Sequence, residues 1–330
     1  MTQLSTWSVH VHDVDRAGAH DALARLEPAG PGAGRSYYRI AYGSSAWHLV
    51  VLFSSVWSRQ DIESVSARVA PSSGAVRRVP ARERAPRDLE TRCPDRGSVH
   101  VAASYDPFLD RLSPRVRGVY VQWSLDSRDS LARVLGRTRP GDRLVFPVRF
   151  LRRFMSDRLP VSARAHDSFL SHVAGYLTMA GPRRAEMLRV LAAREEEFGR
   201  RTAVGEADED AGAGVVGELL VLHRDLMRRL GGLSAGEFTG LGGPAASAGV
   251  WRDTAEIHRA TVLDEEWISE RRRSAAWVQF RFEINVAYQL LSQTGVGYTD
   301  RIGAAYVAFN LIERGLGGRP ESCWERQWNS

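Results

Sequence analysis

Residues Trp277–Gly318 read WVQFRFEINVAYQLLSQTGVGYTDRIGAAYVAFNLIERGLGG, two apolar segments of helical period joined by a glycine-containing break. In the first segment, apolar residues occupy two flanks of a 3.6-residue wheel, and a polar stripe between them carries Arg281, Asn285, Tyr288 and Ser292. A helix that is apolar on two flanks is expected to be buried. Because an unpaired buried polar group costs roughly 2–7 kcal/mol, the stripe predicts either satisfied polar residues in a core or one wall of a pocket.

The composition is that of a soluble globular protein. The chain has 330 residues, of which 43% are hydrophobic and 25% charged. No apolar run approaches the roughly 20 residues that span a bilayer, and the N-terminus lacks the pattern of a secretory signal. The two cysteines, Cys93 and Cys323, have no metal-ligand spacing. These features predict a cytoplasmic protein that does not contact a membrane.

All of the basic charge comes from arginine. The formal net charge is +6, and none of the 45 residues counted as lysine or arginine is a lysine. Guanidinium groups bind carboxylates and phosphates through paired hydrogen bonds, so an acidic peptide and a nucleic acid are both candidate partners. Net charge alone does not choose between them. The sequence contains no P-loop and no dinucleotide fingerprint, which excludes the commonest nucleotide sites.

The first 150 residues predict an α+β region. Residues 7–12 alternate as a strand does, with His10 and His12 on one face; no third ligand accompanies them, so no metal site is predicted. The predicted elements that follow are a helix at 13–26, strands Ser36–Tyr42 and Trp47–Ser54, a helix at Arg59–Val69, and strands Ser98–Ser104 and Gly118–Trp123. This order indicates a mainly antiparallel sheet with split-βαβ-like elements.

From residue 151 onward the periodicity is helical. Residues 144–150 fit either a strand or a helix start. Two segments are predicted to be surface loops. One is 71–98, which is rich in arginine and proline, and the other is 231–250, whose small residues are typical of a lid. The predicted helices are 164–179, 184–201, 215–230, 251–263 and 265–292, with a loop at 203–214. We therefore divide the chain into an α+β sheet region at 1–150 and a helical region at 151–330 that carries the polar stripe.

Three features together resemble one family of peptide-modifying enzymes. The strand WSVHVH, the strand pair SYYRI and WHLVV, and the last two helices are similar to the C-terminal elimination domain of class I lanthipeptide dehydratases. Those domains carry a His-Met and an Asn-Arg signature after a serine that corresponds to Ser292. Both signatures are missing here, and Tyr298 follows Ser292 by six residues. That arrangement resembles the stand-alone thiopeptide pyridine synthases.

The resemblance implies a formal [4+2] cycloaddition between two dehydroalanines of one modified precursor peptide, followed by loss of water and of the leader peptide. It implies no metal and no other cofactor. The expected partner is the precursor itself, an acidic leader joined to an azole-containing core. The sheet region at 1–150 is expected to bind the leader. No nucleic-acid partner is implied, and the chain is expected to act as a monomer or a homodimer.

The same resemblance assigns roles to individual residues. Tyr298 is expected to donate a phenolic hydrogen bond to an amide oxygen, with Ser292 as a proton relay and Asn285 as the third catalytic group. Arg281 and Tyr288 would bind the substrate from the same stripe. His48 and Arg39, on neighbouring predicted strands, complete the expected substrate-binding set.

Three alternatives stay open at this level. A glutamate-eliminating enzyme that works with a separate glutamylating partner would release glutamate from a modified peptide. A leader-binding adaptor would bind the peptide without changing its mass. A nucleic-acid binder would show a steep salt dependence of binding.

Overall fold

The structure is a computed structural model that describes residues 4–14, 16–26, 35–42, 47–69, 77–78, 99–103, 108–109, 112–138, 143–157, 165–203, 209–234, 237–238 and 275–328. Most of the predicted loop at 71–98, most of the predicted lid at 231–250, and the whole predicted helix at 251–263 lie outside these described residues.

The described elements alternate strands and helices at first and then become helical. The strands are β1 (Leu4–Val14), β2 (Ser36–Tyr42), β3 (Trp47–Ser54), β4 (Arg77–Arg78) and β5 (Val99–Ala103). The helices are α1 (Arg16–Arg25), α2 (Arg59–Ser66), α3 (Pro114–Arg137), α4 (Val145–Ser156), α5 (Asp167–Met179), α6 (Arg184–Ala203), α7 (Glu209–Arg229), α8 (Ala275–Gln293), α9 (Tyr298–Gly315) and α10 (Pro320–Trp328).

The strands form one sheet in the order β2-β3-β1-β5-β4 among the described residues. Strand β3 pairs antiparallel with both β2 and β1, so β1 and β2 run in the same direction with β3 between them. Helix α1 connects these two parallel strands, which is the split-βαβ arrangement that the sequence predicts. The predicted α+β fold class is confirmed.

One predicted strand is wrong. Residues 118–123 lie inside α3, not in a strand. Their β-branched and aromatic residues favour a strand locally, but Ser113 caps the backbone N–H of Val116 at 3.4 Å and Pro114 occupies the first turn. Val116, Tyr120 and Trp123 then bury one helical face, and tertiary burial outweighs strand propensity.

Other boundaries also differ from the sequence-based expectation or settle it. The predicted helix at 13–26 begins only at Arg16, because residues 13 and 14 belong to β1. Residues 144–150 begin a helix, because α4 starts at Val145 and buries nearly every apolar side chain it carries. Helix α7 starts at Glu209, so the second half of the predicted loop at 203–214 is helical.

The chain divides into two compact units. Unit 1 comprises Met1–Thr138, Asp225–Gly232 and Gln289–Gly295, and unit 2 comprises Arg139–Arg224, Leu233–Tyr288 and Val296–Ser330. Unit 1 therefore contains the sheet and the last turn of α8, whereas the rest of α8 belongs to unit 2.

Within unit 1, the end of α8 is bonded to strand β2. The side-chain amide of Gln293 donates to the carbonyl of Tyr38 at 2.9 Å, and the Tyr38 hydroxyl donates to the carbonyl of Gln293 at 3.1 Å. Both residues are almost fully buried. The two bonds satisfy groups that have no access to water, so they fix the helix end to the strand.

Within unit 2, α9 is the central helix and packs against α4, α5 and α6. Its residues from Ile302 to Asn310 are all buried. Small side chains at Gly303, Ala304, Ala305 and Ala308 allow the neighbouring helices to pack closely around it.

The buried polar residues near the end of α9 have partners inside unit 2. Asn310 donates to Glu195 at 2.8 Å and accepts from the indole N–H of Trp324 at 2.9 Å. Glu313 is paired with the buried His166 at 2.7 Å.

None of the helices in the described part of the chain has the length and apolarity needed to cross a membrane.

We expect Gln293→Ala to lower the free energy of unfolding by about 1–3 kcal/mol, because it leaves the buried Tyr38 carbonyl without its donor. The matched control is Gln122→Ala, which removes a similar 2.9 Å bond to the solvent-exposed Asp126. Urea denaturation of both variants measures the difference. Equal losses in the two variants would contradict the assigned role of the Gln293 side-chain bond.

Candidate active site

Three tyrosines lie near one another in unit 2. Tyr298 begins α9, and its ring meets the ring of Tyr176 on α5 edge-on at 5.8 Å between centroids. The ring of Tyr288 on α8 meets that of His172 on α5 at 4.9 Å, also edge-on. Arg301, one turn into α9, completes the group. We call Tyr176, Tyr288, Tyr298, His172 and Arg301 the tyrosine cluster.

Local sequence explains how the cluster residues are presented. Helix α8 ends at a glycine turn, in which Gly295 has φ of 82°, a conformation that L side chains rarely adopt. Gly297 then begins α9 as its extended N-cap. His172 and Tyr176 are four residues apart on α5, and Tyr298 and Arg301 are three apart on α9, so each pair shares a helical face.

Arg301 connects the two tyrosines that the sequence analysis selected. Its Nη1 donates to the carbonyl oxygen of Tyr288 at 3.2 Å, and its guanidinium carbon lies 5.8 Å from the centroid of the Tyr298 ring. The latter distance is within the range of a cation–π contact. A positive charge therefore lies beside the main chain of Tyr288 and the ring of Tyr298.

Burial and this charge act on the phenols in opposite directions. Burial raises the pKa of Tyr288 and that of Tyr298, and Arg301 lowers both pKa values by a smaller amount. Both side chains are consequently neutral near pH 7 and can act as hydrogen-bond donors. Tyr298 is 41% exposed and Tyr288 only 9%, so Tyr298 is the phenol that solvent reaches.

The hydroxyl of Tyr288 has no hydrogen-bond partner among the described residues. The large majority of buried polar side-chain atoms in native proteins are paired, so an unpaired hydroxyl calls for an explanation, such as a water molecule, a ligand or a catalytic role. This observation favours the pocket-wall interpretation of the polar stripe over the fully satisfied core.

The other stripe residues of unit 2 are bonded along α8 itself. The Asn285 side chain donates to the carbonyl of Arg281 at 2.7 Å. Burial lowers the pKa of the Arg281 guanidinium, although its ordinary value is so high that the group stays charged. Arg281, Asn285 and Tyr288 therefore follow one another on the helix face that the wheel predicts.

Ser292 belongs to unit 1. It is buried, and its hydroxyl donates to the carbonyl of Ile40 on β2 at 3.0 Å. The hydroxyl proton thus has an acceptor within the fold. This bond is what the simpler interpretation of Ser292, a buried and satisfied hydroxyl, predicts.

His48 and Arg39 lie on the paired strands β3 and β2 of unit 1. His48 is buried, its Nε2 is hydrogen-bonded to Nδ1 of His10 at 3.0 Å, and its ring stacks on that of His12 at 4.1 Å. The sequence found no third histidine beside His10 and His12, and the fold supplies one. Nevertheless, no group of three His, Cys, Asp or Glu side chains in the described ranges is arranged to hold a metal ion.

Sequence reasoning missed His172, Tyr176 and Arg301. The spacing of Tyr298 and Arg301 on one helical face was visible, but nothing in the sequence connected residues 172–176 with residues 288–301. The structure groups Tyr288, Tyr298 and Arg301 in unit 2, and groups Ser292 with β2, the strand of Arg39, in unit 1.

Two solved structures share this fold over nearly the whole chain. The crystal structure of TsrL has a TM-score of 0.54 at 15% sequence identity and covers 98% of this chain and 97% of that one. TbtD, a pyridine synthase from thiomuracin biosynthesis, has a TM-score of 0.53 at 14% identity and covers 95% of this chain and 99% of that one. The sequence matches no protein-family model and no curated protein. At these identities the likeness establishes a shared fold, the one that the sequence resemblance implies.

We expect Tyr288→Phe to reduce the loss of stability at alkaline pH. An unfolded tyrosine loses its proton near pH 10.0, whereas the folded Tyr288 has a higher pKa. Above about pH 10 the unfolded state therefore binds fewer protons, and the free energy of unfolding falls as pH rises. The phenylalanine variant lacks this contribution, so its unfolding free energy declines less steeply there.

Urea unfolding at several pH values between about 8 and 11.5 tests this linkage. At the lower end, the variant is expected to be as stable as the wild type within about 1 kcal/mol, because the lost hydroxyl has no described partner. Parallel curves for the two proteins over the whole range would contradict a buried Tyr288 phenol.

Proposed function

We propose that this chain, which has the fold of a pyridine synthase, catalyses the formal [4+2] cycloaddition of two dehydroalanines in a thiopeptide precursor. The observation that carries the proposal is the partly exposed, neutral phenol of Tyr298 beside the fixed charge of Arg301. The similarity to TbtD over 95% of this chain supports it. The chain would then be a cofactor-independent lyase and cyclase whose partner is the modified precursor peptide.

The chemistry needs a proton donor more than it needs a nucleophile. The amide of one dehydroalanine becomes an iminol, and its C=C–N=C unit then adds across the alkene of the second dehydroalanine with formation of two carbon–carbon bonds. Loss of water and of the leader peptide as an amide gives the pyridine ring. None of these steps is an oxidation or a reduction, so the reaction as written requires no redox partner.

Tyr298 is our candidate for the general acid. As a neutral phenol it donates a hydrogen bond to the amide oxygen that becomes the iminol hydroxyl, and acid catalysis of this kind is typically worth about 10²–10⁴-fold. Holding the two alkenes in contact adds to this, because well-oriented intramolecular reactions reach effective molarities of about 10⁵–10⁸ M.

The remaining predicted residues have supporting roles in the proposal. Tyr288 offers a second phenol, and Arg281 and Asn285 orient substrate carbonyls from the same helix face. A relay through Ser292 would accept a proton on its oxygen and release its own hydroxyl proton, which would first have to leave the carbonyl of Ile40. His48 and Arg39 remain proposed contacts to the peptide.

Glutamate elimination is the second candidate because the tyrosine cluster contains a histidine. Nδ1 of His172 donates to the carbonyl of Ser168 at 2.7 Å, so in the neutral ring the lone pair lies on Nε2. A histidine with this tautomer can act as the base that removes an α-proton.

Incubation of the protein with an azole-containing peptide that carries two dehydroalanines separates these functions. Loss of water and leader by mass spectrometry, together with a new pyridine absorbance, supports the synthase. Release of glutamate from a glutamylated peptide identifies an elimination enzyme. Tight leader binding without any change in mass identifies an adaptor.

We expect Tyr298→Phe to lower the rate of cyclisation by about 10²–10⁴-fold and to leave leader binding within a few-fold of the wild type. The matched control is Tyr306→Phe, a buried tyrosine on the same helix that stacks on Trp324. Single-turnover kinetics and fluorescence anisotropy with a labelled leader measure the two quantities. A wild-type rate for Tyr298→Phe would refute its role as the acid.

Ser292→Ala is likewise expected to reduce turnover more than leader binding. Because Ser292 also bonds Ile40, the variant is compared with Ser66→Ala, which removes another buried hydroxyl of unit 1 that donates to a carbonyl at 2.8 Å. Thermal denaturation shows whether the two losses of stability match. A turnover loss no larger than that of Ser66→Ala would assign Ser292 a purely structural role.

A further inference from the structure

Arg301 is the only member of the tyrosine cluster that contacts both Tyr288 and Tyr298 in the contacts described. It donates to the main chain of Tyr288 at 3.2 Å and lies 5.8 Å from the Tyr298 ring centroid. Since residues three apart share a helical face, the chain itself fixes Arg301 beside Tyr298.

Asp300, the acidic residue next to Arg301 in the sequence, is paired with another arginine. Asp300 forms an ion pair with Arg194 on α6 at 3.0 Å. The other titratable groups of the cluster are the phenols of Tyr176, Tyr288 and Tyr298 and the imidazole of His172. A phenol that gives up a proton here develops a negative charge in a partly desolvated place, where a nearby cation matters more than it does in water.

We propose that Arg301 is a positioning residue that acts through Tyr298, holding a positive charge where the Tyr298 oxygen becomes negative during proton transfer. This inference rests on the proposed function. Tyr298 passes its phenol proton to the amide oxygen, and the phenolate recovers a proton as the amide nitrogen loses its own. The iminol therefore forms without a net change in the enzyme, and Arg301 stabilises the transient phenolate.

The charge of Arg301 leaves a signature on Tyr298 even without substrate. Arg301 lowers the pKa of Tyr298 against the effect of burial. Difluorotyrosine in place of Tyr298 titrates at lower pH than tyrosine does, where the protein stays folded, and ¹⁹F NMR follows its ionisation. We expect Arg301→Gln to raise the pKa of this residue by about one unit, the low end for a nearby opposite charge.

Two further variants separate charge from structure. Arg301→Lys keeps the positive charge and is expected to restore most of the lost acidity at position 298. Arg314→Gln removes a guanidinium from the other end of α9 and is expected to leave position 298 unchanged. Because Arg314 lowers the pKa of Tyr306, the same substitution should instead raise the pKa of a difluorotyrosine at position 306.

Turnover completes the test. With the bis-dehydroalanine peptide, Arg301→Gln is expected to lower kcat by at least about 10-fold with little change in KM, and Arg301→Lys to recover part of it. An unchanged pKa at position 298 in Arg301→Gln, or an altered pKa with a wild-type kcat, overturns the role of Arg301. Absence of cyclisation by the wild type overturns the proposed function instead. The titration then still tests whether Arg301 lowers the pKa at position 298.

Discussion

Burial of helix α9 is the constraint on which the rest of unit 2 depends. From Ile302 to Asn310 no residue of this helix is exposed, so the polar groups on it must find partners among the helices around it. Asn310 meets Glu195 and Trp324 in this way. The first turn of the helix, which carries Tyr298 and Arg301, is partly open to solvent instead.

The chemistry of the tyrosine cluster follows from this position. Burial raises the pKa values of the Tyr288 and Tyr298 phenols, whereas the guanidinium of Arg301 lowers the same two pKa values. A phenol held neutral but close to a cation can donate a hydrogen bond and also tolerate the negative charge that follows. A core tyrosine with a satisfied hydroxyl has no need of such a cation, and the Tyr288 hydroxyl lacks a described partner.

In unit 1, two buried polar side chains at the end of α8 have hydrogen-bond partners within the fold. Ser292 and Gln293 both belong to the last turn of α8, and both bond the main chain of β2. The family resemblance assigns Ser292 a catalytic role, whereas its hydrogen bond is one that any buried serine seeks.

The sequence by itself determined the elements with strong periodicity: the strands β2 and β3 to the residue, the split-βαβ order, and the burial of α8. It did so because alternation and helical spacing are local signals that tertiary packing here reinforces. At 118–123 the local signal was misleading, since β-branched and aromatic residues that favour a strand were buried on one face of α3. The tertiary structure alone decided which residues surround Tyr298 and where the Ser292 proton goes. His172 and Tyr176 lie more than 100 positions from Tyr288 and Tyr298 in the sequence. A contact over that separation depends on how α5, α8 and α9 pack, which no local pattern encodes.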